Sequence, residues 1–112
     1  MSNNNIWPIS NNPVPLVSGD EPVFTPVING ASALDITSAT MQIYKNGGST
    51  DQSATHLVSG DTISANGNVI TLKKITSLTG GATYTVVFGL LVDGVLTHFK
   101  FDLDVQKKEA KS

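Results

Sequence analysis

Apolar and polar residues alternate most clearly near the end of the chain. From Ala82 to Val92, Tyr84, Val86, Phe88, Leu90 and Val92 fall on one face. From Val95 to Val105, Val95, Phe99, Phe101, Leu103 and Val105 share a face, with His98, Lys100, Asp102 and Asp104 on the other. A period of two is the signature of strands with one buried and one wet face. The two runs are separated by Asp93-Gly94, a two-residue sequence that tolerates positive φ and so predicts a tight hairpin. Val87 and Leu91 also make the first strand apolar on its second face, which predicts that part of it is covered, for instance by a neighbouring subunit.

Upstream, the pattern predicts shorter strands at Pro22–Ile28, Thr40–Lys45, Ser53–Val58 and Asn68–Ile75. A short Thr62–Ala65 segment pairs with the last of these through the Asn66-Gly67 turn. No segment carries a helical period. Several short strands separated by turn residues predict an all-β antiparallel sandwich or barrel. Leu78 to Tyr84 favours the sandwich: a Tyr opening a strand just after a Leu and a glycine-containing loop looks like a tyrosine corner, whose hydroxyl bonds back to the upstream backbone.

The first 21 residues differ in character. Pro8, Pro13 and Pro15 interrupt a stretch rich in Asn and Ser. Proline excludes a helix interior and disfavours a central strand. This predicts an extended N-terminal arm over 1–21, becoming an edge strand near Val14, before a sandwich at 22–106 and a solvated charged tail at 107–112. The arm carries two apolar islands, one of Ile6, Trp7, Pro8 and Ile9, and one that includes Val14 and Leu16. These are the candidate partner-binding residues, since Trp is enriched among interface anchors. The competing reading folds the arm back so that Trp7 caps its own sandwich. Tyr84, Asp93 and Gly94 are the candidate structural residues.

Composition narrows the function classes. The chain has 112 residues, enough for one domain with a modest core. It has no cysteine, so neither a disulfide nor a thiolate metal site is available, which suits assembly in a reducing cytoplasm. The formal net charge is -2 and the seven basic residues, all Lys, are dispersed apart from Lys73-Lys74 and Lys107-Lys108, unlike the basic stripe of a nucleic-acid binder. Only 14% of residues are charged, so the surface is dressed mainly with Ser, Thr, Asn and Gly. No apolar run reaches membrane-spanning length, the N-terminus lacks the features of a secretory signal, and no Asn-x-Ser/Thr site occurs.

Catalytic candidates are sparse. His56 and His98 are the only histidines, and both read as solvated surface residues. Asp102 and Asp104 point the same way at i, i+2, but Lys100 beside them makes a mixed-charge outer face the simpler explanation. Asn46-Gly47-Gly48 and Gly80-Gly81 are turns, since neither is followed by the Lys-Ser/Thr of a phosphate loop. Ser18-Gly19-Asp20 and Ser59-Gly60-Asp61 read as two similar turns. The expectation is a protein that is not an enzyme and uses no cofactor or metal.

Specific strings add a resemblance. Val17-Ser18-Gly19-Asp20 leads into Val23-Phe24. Ala33-Leu34-Asp35-Ile36-Thr37-Ser38-Ala39-Thr40 leads into Met41-Gln42-Ile43-Tyr44-Lys45. Asn68-Val69-Ile70-Thr71-Leu72 precedes the segment from Leu78 to Tyr84. Together with the hairpin at Asp93-Gly94, they resemble the immunoglobulin-like β-sandwich domains of tailed-phage virion proteins. These include baseplate N-terminal domains and small capsid decoration, or cement, proteins. The resemblance implies a virion protein on the capsid surface, assembled in the host cytoplasm. Its implied partner is the major capsid protein or another virion protein, with a homo-oligomer as a further option and no nucleic acid or membrane. The single domain favours decoration over a multi-domain tail component. The alternative is a tail or baseplate accessory, or a receptor- or glycan-binding module, for which Tyr44 is the one aromatic candidate.

Overall fold

The computed structural model describes residues 6–8, 14–28, 30–58 and 60–107. It is an all-β architecture of two packed layers. Among the described residues there are seven strands: β1 (Ile6–Pro8), β2 (Val14–Val17), β3 (Leu34–Lys45), β4 (Ser64–Asn66), β5 (Val69–Thr71), β6 (Thr83–Val92) and β7 (Val95–Gln106). A single helical turn, α1 (Ser53–His56), lies between β3 and β4.

The larger sheet has the order β1-β7-β6-β3, with β2 pairing on β7 as well. The β6–β7 and β3–β6 pairs are antiparallel. β1 and β2 run parallel to β7, with Ile6 opposite His98 and Val14 opposite Leu103. The β4–β5 hairpin begins the second layer. Residues 22–28 lie along it through bonds from Ile70 N–H to the Pro26 carbonyl (2.9 Å), Leu72 N–H to Phe24 (3.0 Å) and Ile75 N–H to Pro22 (3.0 Å).

Those bonds explain why Pro22–Ile28 is not a regular strand. Pro22 and Pro26 have no N–H to return, so the segment serves mainly as an acceptor. Only Val27 forms a ladder bridge, to Val69. The segment predicted at Asn68–Ile75 is likewise shorter, a regular strand over Val69–Thr71 with a further bridge at Ile75.

The strand predicted at Ser53–Val58 is instead the helical turn α1. The Asp51 carboxylate accepts bonds from the Ser53 N–H (3.0 Å) and from the Ser53 hydroxyl, which bends the chain into the turn. The His56 N–H then reaches the Gln52 carbonyl and the Leu57 N–H that of Ser53. β3 begins at Leu34, six residues before the expected Thr40, because its pairing with β6 resumes after an irregularity between Asp35 and Thr40. That irregularity interrupts the alternation on which the expectation rested.

The core lies between the layers. Ile43, Ile70, Ile75, Val86, Leu103 and Val105 are fully buried. Phe101 meets Phe24 edge-on at 4.9 Å across the layers, while Phe88 stacks on Phe99 at 5.3 Å within the large sheet. Burying each such side chain stabilises the fold by about 1.5–3 kcal/mol. Among the described residues, no helix is long and apolar enough to cross a membrane.

Candidate functional site

The arm's backbone is part of the protein's own large sheet. β2 turns Val14 and Leu16 inward, where they are half-buried against the core. Ile6, Trp7 and Pro8 form β1 on the β7 edge, and Ile9 lies outside the described residues. The arm is thus a strand added to β7 in two steps. Of the expected charged tail, only Lys107 is described, and it is exposed.

Tyr84 sits at the start of β6, 1% exposed. Its hydroxyl oxygen accepts the Thr79 N–H at 2.9 Å, closing the loop that leads into the strand. Its ring meets the edge of the His56 ring at 5.0 Å. His56 is therefore not a solvated surface residue. The turn of α1 points it inward, to 3% exposure, and its Nδ1 lies 3.0 Å from the Thr76 carbonyl. His56, Thr76, Thr79 and Tyr84 thus tie the helical turn to the loop before β6.

His98 is half-buried on the outer face of the large sheet, where its ring lies across Gly89. A β-carbon at Gly89 would stand 2.6 Å from His98 Cδ2, so only glycine allows the ring to lie so close. The ring covers part of the outer face of β6, and Val87 and Leu91 on that face are half-buried. Further along, Thr85 donates to Asp102 (2.8 Å) and the Gln106 amide to Asp104 (3.0 Å). Tyr44 donates to Gln42 at 3.1 Å. The two aspartates are separately engaged by neighbouring side chains. No group of three His, Asp or Glu capable of holding a metal occurs among the described residues.

The β6–β7 hairpin turns through Asp93 (φ 51°) and Gly94 (φ 84°), the two positive values of a type I′ turn. The Asp93 carboxylate accepts the Ser32 N–H (2.9 Å) and the Ala33 N–H (2.7 Å), and the Asp93 N–H reaches the Ala33 carbonyl (2.8 Å). Asp35 lies beside this tip. The Thr37 N–H, aided by the Thr37 side chain, holds its carboxyl below the ordinary carboxylate range.

A groove opens beside α1. Met41, Ser53, Ala54, Leu57, Val58 and Lys73 line a volume of about 370 Å³. Sequence reasoning missed this groove and the buried His56, since both depend on α1. The available signal was Asp51-Gln52-Ser53, in which an Asp precedes a short run able to turn.

No protein-family model matches this chain, nor does any curated protein or solved structure.

Proposed function

We propose that the chain is an immunoglobulin-like β-sandwich acting as a non-enzymatic structural protein of a tailed-phage virion. Its place is the outer surface of the head, as a decoration protein seated on the major capsid protein. The observation that carries the reading is the corner at Tyr84, where a buried phenol oxygen at the start of a strand binds the backbone five residues upstream. That device characterises immunoglobulin-like sandwiches, and the phage-like strings surround it. A rigid two-layer body with a sparsely charged, hydroxyl- and amide-rich surface suits a protein that occupies many equivalent sites. On such a lattice, repetition compensates for modest affinity at each contact.

The test adds the purified chain to expanded phage heads stripped of their decoration protein. Saturable co-sedimentation, with heads that resist thermal disruption better, supports the proposal. Failure to co-sediment, or gold labelling confined to the tail, overturns the head assignment.

A further inference from the structure

Two strand ends carry the same dipeptide. Asn46-Gly47 follows β3, and Asn66-Gly67 ends β4 and begins its turn into β5. Asn29-Gly30 is a third such pair by sequence, and Asn29 lies outside the described residues. An Asn-Gly pair can react with itself. The glycine nitrogen attacks the asparagine Cγ, with no side chain on the glycine to obstruct the approach. The attack requires the peptide plane between the two residues to rotate.

Both asparagines are exposed, and a β-carbon on either glycine would meet open space, so water and room do not separate Asn46 from Asn66. Hydrogen bonding does. Asn46 continues the β3–β6 ladder: its N–H reaches the Thr83 carbonyl (2.7 Å) and its Oδ1 accepts the Thr83 N–H (3.0 Å). Rotation there has to pull the residue off β6. The Asn66 carboxamide and the Gly67 N–H have no hydrogen bond among the described residues. Gly67 (φ 64°) opens a two-residue turn, and β4 is three exposed residues whose ladder partner is β5 alone among the described residues. Such an end opens at small cost. Opening brings the free Gly67 nitrogen towards the free amide without breaking a side-chain bond.

We propose that Asn66 is a site of spontaneous modification, at which the chain converts its own asparagine into aspartyl and isoaspartyl residues, while Thr83 holds Asn46 back. The Gly67 nitrogen forms a bond to Asn66 Cγ, the Cγ–Nδ2 bond breaks, and the Gly67 proton leaves with the amide nitrogen as ammonia. Water then opens the cyclic imide. Addition at Cγ gives aspartate. Addition at the main-chain carbonyl carbon gives isoaspartate, which puts an extra carbon into the backbone at the turn that sets the β4–β5 register. Either product places a negative charge beside Val69, the ladder partner of Asn66, which in turn bridges to Val27. Both valines are exposed, so an apolar strip of the second layer gains a charge. The conversion goes beyond the virion reading and does not rest on it.

The test ages the folded chain in mildly alkaline buffer at physiological temperature. Peptide mapping by mass spectrometry reads each asparagine, and isoaspartyl methyltransferase labelling marks the isoaspartyl product. Asn66 is expected to convert first. The two bonds to Thr83 correspond to a lag of roughly ten- to a hundredfold at Asn46. A parallel sample in guanidinium chloride removes the fold, and there the two pairs should convert at similar rates. Conversion of Asn46 as fast as Asn66 in the folded chain overturns the proposal. So does an Asn66 that stays intact in the folded chain, or a lag at Asn46 that persists undiminished in the denaturant.

Discussion

Tyr84→Phe removes one oxygen from a ring that is otherwise packed. The ring keeps its contact with His56, and no sizeable cavity opens. What is lost is the acceptor for the Thr79 N–H, a part-buried donor 2.9 Å from the phenol oxygen. A bond of this kind contributes about 1 kcal/mol net, and a donor left without a partner raises the cost towards 3 kcal/mol, so the substitution should destabilise by about 1–3 kcal/mol. For a domain of this size, each kcal/mol lowers Tm by roughly 4 °C. Urea denaturation followed by circular dichroism measures the loss directly. The midpoint should fall at unchanged slope, since the surface exposed on unfolding is the same. Tyr44→Phe is the internal control. It makes the same chemical change where the hydroxyl bonds only to an exposed Gln42 side chain, and it should stay within about 0.5 kcal/mol of wild type. If the two variants lose equal stability, or Tyr84→Phe loses less than about 0.5 kcal/mol, the hydroxyl does not secure the loop before β6.

Two further substitutions probe close approaches. Gly89→Ala should cost about 1–3 kcal/mol by forcing the His98 ring off the sheet. In a His98→Ala background the same change should be neutral or slightly stabilising, and an identical cost in both backgrounds, read by urea titration, refutes the contact. Asp93→Asn keeps a residue tolerant of positive φ and an oxygen for Ser32 and Ala33, so it should cost less than about 1 kcal/mol. Asp93→Ala removes the acceptor and strains the turn, and should cost about 1–2 kcal/mol or more. Equal midpoints for the two Asp93 variants would sink that account.

The hairpin was legible because its signals agree. Alternation assigned Tyr84, Val86, Phe88, Leu90, Phe99, Phe101, Leu103 and Val105 to one face, and all eight are buried. Asp93-Gly94 marked the turn where it occurs. Val95 shows the limit. It shares that face yet is exposed, because alternation along one strand does not reveal where the opposing layer ends. The helical turn was hidden for a different reason: four residues are too few to display a period of 3.6. Missing α1 meant missing His56, whose direction it sets, and the groove it walls. The parallel placement of β1 and β2 on β7 was also out of reach, since nothing local to the arm encodes a partner near the far end of the sequence. For the outer face of β6, the sequence predicted some cover for Val87 and Leu91. On that face His98 lies across Gly89, an approach visible only once the two proved to be register partners.

The register of β1 has a consequence in time. Ile6 leaves the ribosome well ahead of its partner His98. At about 5–20 residues per second, several seconds separate the two. Throughout that interval the arm has no edge of its own to join. Chains growing side by side on one message would each offer a waiting arm, and the first to extend past Gln106 would offer a completed β7. Whether an arm closes on its own chain or on its neighbour's is then a race, settled by how crowded the message is.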